Sequence, residues 1–147
     1  MQVKEILNQK GRDIYSVKPS DTVYDAIAKM ADYNIGALLV MQDQNLEGII
    51  SERDYRNKVI LKGRTSKETP VKDIMTDKVI RVNSSDTVNL CMQLMTEKKI
   101  RHLPVMQDEK VVGVISIGDV VKTVIANQKN EINSLRDYIG SGGGYPG

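Results

Sequence analysis

The chain states the same pattern twice, 65 positions apart. Val17 to Tyr55 lies on Val82 to Val120 without a gap. Matching pairs include Val17/Val82, Asp21/Asp86, Thr22/Thr87, Val23/Val88, Met30/Met95, Ile35/Ile100 and Leu38/Leu103. They continue through Val40/Val105, Met41/Met106, Gln42/Gln107 and Asp43/Asp108 to Gly48/Gly113, Ile50/Ile115, Ser51/Ser116 and Asp54/Asp119. An internal repeat constrains a fold strongly, because each copy must form the same unit. Two copies are too few for a solenoid. Two copies ending in one short polar motif predict a pseudo-symmetric pair with two related pockets. With 147 residues in all, each unit is too small to bury a sufficient core alone, so the pair is expected to pack together.

Each copy reads as strand, helix, strand, strand, helix. In the first, Ile14 to Val17 is a strand, and Ser20 or Asp21 is a natural cap for a helix over Val23 to Tyr33. Val23, Ala26, Ile27, Met30 and Ala31 fall at helical spacing on one face. Ala37 to Met41 and Leu46 to Ile50 form a hairpin across the polar stretch Gln42 to Asn45. A helix follows from Glu52 to Leu61. In the second copy, Val79 to Val82 is a strand, Val88 to Lys98 a helix, and His102 to Met106 with Val111 to Ile115 a hairpin. The last helix starts near residue 117 and runs to about Tyr138, its apolar positions Val120, Val121, Val124, Ile125, Ile132, Leu135 and Ile139 marking its length. Short related stretches precede the copies: Val3 to Leu7 and Val71 to Met75. Here the offset is 68, so the first copy carries three extra residues around Lys10-Gly11-Arg12. The predicted organisation is a first repeat over 1–62, a linker over 63–70, a second repeat over 71–139, and a flexible Gly-rich tail over 140–147.

Each copy ends its hairpin on a strand that runs straight into a polar helix start. The two versions are Gly48-Ile49-Ile50-Ser51-Glu52-Arg53-Asp54 and Gly113-Val114-Ile115-Ser116-Ile117-Gly118-Asp119. Such a junction admits two readings. Ser-x-x-Asp is a capping pair, with the serine oxygen accepting a third-position amide. The same junction exposes N–H groups and the positive end of a helix, which suit a phosphate, while the carboxylate one turn in suits the hydroxyls of a ribose. Appearance in both copies favours the second reading, although duplication would also copy a cap.

At this point the sequence resembles the cystathionine-β-synthase (CBS) domain, and the whole resembles a tandem CBS pair, or Bateman module. The resemblance rests on Pro19-Ser20-Asp21-Thr22-Val23 with Asp25-Ala26, on Ile100-Arg101-His102-Leu103-Pro104-Val105, and on the two Gly-h-h-Ser-x-x-Asp junctions. It covers residues 1–139. It implies an α/β fold of two β-α-β-β-α repeats packed about a pseudo-two-fold axis, with two clefts for adenosine-containing ligands such as AMP, ADP, ATP, NAD or S-adenosylmethionine. By carry-over, Asp54 and Asp119 would hold ribose hydroxyls, and Ser51 and Ser116 would contact phosphate. Ile14, Val17, Ala37, Val79 and Val82 would line adenine pockets. Arg101 and His102 would reach phosphate in the partner lobe's cleft, the one with Asp54. Arg53, Thr76, Lys78 and Arg12 are further phosphate candidates. The copies differ at Gly36-Ala37 against Arg101-His102 and at Arg53 against Gly118, so the clefts are expected to be unequal.

The expected function is a regulatory or sensor module for an adenine nucleotide, with no catalysis of its own and no required cofactor. No catalytic Cys/His arrangement, P-loop or metal-ligand spacing occurs, and the single His102 cannot form a histidine cluster. The alternatives are a ligand-free interaction module, in which the two junctions only cap helices, and an S-adenosylmethionine-binding module. A homodimer is expected, with the long last helix a candidate for pairing and an unidentified protein a possible further partner. Nucleic acid is not expected: net charge is +2 and the chain has neither Phe nor Trp. No apolar run approaches a membrane span, Met1 to Leu7 lacks a signal-peptide core, and the lone Cys91 on an apolar helix face excludes an internal disulfide. These features predict a cytoplasmic protein.

Overall fold

The repeat becomes two lobes of the same topology in a computed structural model that describes residues 1–141, with side chains described to residue 139. The elements run α1 (Val3–Lys10), β1 (Ser16–Val17), α2 (Val23–Tyr33), β2 (Ala37–Gln42), β3 (Asn45–Ser51), α3 (Glu52–Lys58), β4 (Val82–Asn83), α4 (Val88–Lys98), β5 (His102–Gln107), β6 (Lys110–Ser116) and α5 (Ile117–Ser141). Each lobe holds a three-stranded sheet, ordered β1-β2-β3 or β4-β5-β6, with a parallel first pair and an antiparallel second.

Local chemistry explains most boundaries. Thr22 and Thr87 cap α2 and α4, accepting the amides of Asp25 and Leu90 at 3.1 Å each. Ser20 and Asp21, the expected caps of α2, lie just outside it; the Asp21 carboxylate instead accepts the Lys18 amide at 2.8 Å and closes the entering turn. The hairpin turns are two-residue turns with positive φ at both positions, Asp43 and Gln44 in one copy and Asp108 and Glu109 in the other. The entering strands are shorter than the sequence predicts, because only Ser16–Val17 and Val82–Asn83 pair with a neighbour. Helix α3 stops at Lys58 and tightens into a 3₁₀ turn over Ile60–Lys62. Helix α5 reaches Ser141, so Gly140 and Ser141, expected to begin a tail, are helical. Residues 142–147, the rest of that tail, lie outside the described residues.

The stretches that precede the copies are exchanged between lobes. Val3, Ile6 and Leu7 of α1 are buried in the second lobe's core with Val82, Cys91, Leu103 and Ile115. Val71 and Ile74 are buried in the first lobe's core with Val23, Met30, Leu38 and Ile50. The hydrogen bonds repeat with the sequence. The Val3 amide donates to the Asp86 carbonyl at 2.9 Å, and its counterpart Val71 donates to Asp21 at 2.8 Å. Lys4 donates to Ser84 at 2.9 Å, and Lys72 to Pro19 at 3.0 Å. The intervening 63–70 stretch is also anchored. Thr69 is buried, and its carbonyl accepts the first amide of α2, that of Val23, at 2.8 Å.

This exchange explains the repeated glycine. A Cβ on Gly113 would stand 2.7 Å from Leu7 Cδ2, and one on Gly48 would stand 2.7 Å from Met75 Sδ and 2.8 Å from the Thr76 carbonyl. Gly113→Ala is expected to cost about 1–3 kcal/mol, as overpacked core sites do. Gly48→Ala should cost more, because a backbone carbonyl cannot rotate away as a leucine methyl can. Urea unfolding of the two variants measures both the losses and their order.

Candidate functional site

Both Ser-x-x-Asp junctions fold as capping pairs, so the plainer of the two readings is realised in each. In the first lobe the Asp54 Oδ2 accepts the Ser51 amide at 2.9 Å, while Ser51 Oγ accepts the Asp54 amide at 3.3 Å. In the second, Asp119 Oδ2 accepts the Ser116 amide at 2.8 Å and Ser116 Oγ accepts the Asp119 amide at 3.2 Å. What surrounds the caps then differs. Lys58, one turn along α3, pairs with Asp54 Oδ1 at 3.0 Å, so both Asp54 oxygens are engaged. Asp119 is instead met by Lys10 from the end of α1, at 2.7 Å to Oδ2, and the same ammonium donates to the Val114 carbonyl at 2.7 Å.

Asp119 faces a cavity of about 450 Å³ between the lobes, a size usual for small-molecule sites. The second lobe supplies Ser116, Asp119, Val114 and His102. The first lobe supplies the start of β2, from Gly36 to Leu39, with Ile49 and the chain entering β1 at Gly11, Asp13 and Tyr15. Lys10, Asn34 and Ile35 complete the lining. Tyr15 is stacked on Tyr33, ring centroids 4.1 Å apart, which gives the cavity a rigid aromatic wall.

The electrostatics are mixed. Burial alone would raise the Asp119 carboxyl. The Lys10 hydrogen bond, the Ser116 amide and the Lys10 charge outweigh it and hold Asp119 below the ordinary carboxylate range. Burial pushes His102 below the ordinary imidazole range; Asp119 opposes this, while Lys10 and Arg101 add to it. Cys91 is buried in the second core, and its thiol is pushed up to about 11, first by that burial. It therefore offers no thiolate near neutrality.

The expected site residues are only partly brought together. Ser116, Asp119, His102 and Ala37 share the cavity. His102 belongs to the Asp119 cavity and not to the Asp54 cleft, where it was expected. The β5–β6 register sets His102 opposite Ser116, and Gly36 leaves room for the imidazole; a Cβ there would stand 3.4 Å from His102 Cε1. Arg101 is exposed and does not line the cavity; its carbonyl accepts the first amide of α5, that of Ile117, at 2.8 Å. Val17 and Val82 are enclosed in the two cores and do not line the cavity. Ile14 is exposed, and its neighbours Asp13 and Tyr15 take the lining role. Val79, Thr76 and Lys78 do not line the cavity, though Thr76 is bridged through the backbone to Ile49, which does. Arg12 is held by Asn8 at 2.9 Å on the outer side of α1. Arg53 donates to the Lys99 carbonyl at 2.9 Å, tying α3 of the first lobe to the end of α4 in the second. Its counterpart Gly118 has no side chain to make the matching tie across the Asp119 cavity. Lys10, Asp13 and Tyr15 were not foreseen. Their signal was the three-residue insertion at 10–12, which lets α1 and β1 meet at the cavity from opposite lobes.

Known proteins share this architecture. A CBS domain protein of Arabidopsis thaliana named CBSX3, mitochondrial, is 42% identical over 149 residues, covering 95% of this chain and 72% of that protein. The solved structure of a "putative signal-transduction protein with CBS domains" of Burkholderia ambifaria superposes with a TM-score of 0.85 at 52% identity, over 87% of this chain and 96% of that one. The CBS domain protein PAE2072 of Pyrobaculum aerophilum, complexed with AMP, shares the fold with a TM-score of 0.73 at 23% identity, over 81% and 89% of the two chains. The family pattern described as the CBS domain matches twice, over residues 3–60 and 71–126. With both repeats matched and the exchanged segments included in each match, this chain belongs to the CBS domain family as a tandem pair.

Proposed function

We propose that the chain is a nucleotide-responsive regulatory module that binds an adenosine phosphate, AMP in the first instance, in the Asp119 cavity. The observation that carries this reading is Asp119 itself: a carboxylate at a helix start, facing a cavity of small-molecule size, beside a lysine and a histidine. The ribose diol would donate to Asp119 and displace Lys10 from Oδ2. The freed ammonium would then meet the phosphate, with Ser116 donating from the helix start. Tyr15 would pack on the base, and the Asp13 carboxylate could accept its exocyclic amine. The AMP complex of the structurally similar Pyrobaculum protein supports this choice of ligand. ADP, ATP, NAD and S-adenosylmethionine are the competitors, and a cationic sulfonium would sit poorly beside Lys10.

No catalysis is assigned. Among the described residues no group of three or more His, Cys, Asp or Glu is arranged to hold a metal ion. No described helix is long and apolar enough to cross a membrane. Occupancy can regulate only if the ligand binds two states of the molecule with different affinity. The Lys10 to Asp119 pair, broken in one state and made in the other, supplies such a difference.

The test is a melting-temperature titration with AMP. The reading requires a rise that grows with concentration without saturating, as mass action dictates; a flat response to AMP, ATP and NAD alike leaves the junctions as helix caps only. The pH dependence has a definite sign. A phosphate near His102 favours the imidazolium, so binding takes up a proton. Affinity for AMP should therefore rise as pH falls toward and below the ordinary imidazole range, because the free protein holds His102 neutral down to lower pH. Calorimetry at several pH values should show this rise, and His102→Ala should flatten it.

A further inference from the structure

The exposed seam of α5 is the feature the nucleotide site does not use. From Gln128 to Tyr138 every side chain is exposed, so over roughly 16 Å of helix axis none is buried against either lobe. A helix of that length is marginal in water on propensity alone, and a packed face is what usually holds it. It nonetheless carries large apolar side chains: Ile132 is 49% exposed and Leu135 is 60% exposed.

Their spacing is that of a two-stranded coil. Val121, Ile125, Gln128, Ile132, Leu135 and Ile139 alternate steps of four and three. With Ile125, Ile132 and Ile139 at the a positions of a heptad, Val121, Gln128 and Leu135 take the d positions. Isoleucine at a with leucine at d favours parallel dimers, and one polar residue in the seam fixes register. The charges agree. Glu131 falls at g and Arg136 at the following e, so parallel strands bring Glu131 of each chain to Arg136 of the other. An antiparallel pair would set Lys129 and Arg136, both at e, against each other.

We propose that the C-terminal half of α5 pairs with the same segment of a second copy of this chain as a short parallel, in-register coiled coil. The seam is apolar where a second copy would cover it, self-complementary in charge, and continuous with the α5 turn packed on the lobe at Val120, Thr123 and Val124. It lies outside the nucleotide cavity, so pairing and ligand binding read out separately.

The full-length chain with Leu135→Cys tests the proposal under mild oxidation. A parallel pair stacks the two d-position sulfurs, so a covalent dimer should form quickly. Asn130→Cys, on the outward f position, should cross-link at least ten-fold more slowly. Buried Cys91 gives the background in the unmodified chain. A second arm reverses the charge pair: Glu131→Arg should raise the dimer dissociation constant several-fold, and adding Arg136→Glu should restore it. Because these side chains are exposed, the melting temperature of the lobes should change little. Equal cross-linking at 130 and 135, or a chain that stays monomeric by light scattering at micromolar concentration, overturns the proposal. Unchanged AMP binding in every variant is the expected companion result.

Discussion

Leu7→Ala should lower stability by about 2–5 kcal/mol, the usual cost of emptying a fully buried leucine site, and the damage should appear in the second repeat. Leu7 is completely buried, yet its neighbours are Gly113 and the core built from β4, α4, β5 and β6. Hydrogen exchange in the variant should accelerate first in β5 and β6, while β2 and β3 keep their protection longer. Ile74→Ala should do the reverse, loosening β2 and β3 first, because Ile74 is buried in the first lobe. A loss of protection that follows sequence proximity, with Leu7→Ala acting on β1 to β3, would contradict the exchanged arrangement.

Asp119→Ala should weaken AMP binding by about 10²- to 10⁴-fold, and Asp54→Ala by no more than about three-fold. The size follows from losing two hydrogen bonds to a charged group, each contributing about 1.5–3 kcal/mol. The asymmetry follows from the surroundings. Asp54 has both oxygens engaged, and Arg53 beside it is tied to the Lys99 carbonyl. Asp119 faces an open cavity whose counterpart of Arg53 is Gly118. Asp119→Asn keeps an oxygen to cap α5 but removes the charge that Lys10 and the diol use. It should therefore retain stability and still lose most affinity. Equal losses from Asp54→Ala and Asp119→Ala would show that the clefts are equivalent.

The hairpins, helices α2 and α4 and the capped junctions were legible because their signals are local. Alternation, turn residues and Ser-x-x-Asp spacing act within a few residues of the element they specify. The likeness of Val3 to Leu7 and Val71 to Met75 was legible too, but likeness does not say which lobe a segment joins. That choice is made by contacts such as Leu7 on Gly113, more than 100 residues apart, which leave no local pattern. The same limit misplaced His102. Its neighbours in sequence mark it as a basic pair with Arg101, whereas the β5–β6 register turns only His102 into the cavity. Val17 and Val82 looked like pocket residues because they lead into each copy, yet pairing in the sheets directs them into the cores.

The crossed placement of α1 also sets an order of assembly during synthesis. The first lobe gains its missing patch once Val71 to Thr76 has been made, early in the second repeat. The apolar face of α1 has no such early partner. Val3, Ile6 and Leu7 must wait for β6, about a hundred residues later, or roughly 5–20 s at ordinary translation rates. Through that interval α1 carries an uncovered greasy stripe. That leaves α1 open to capture by the wrong chain.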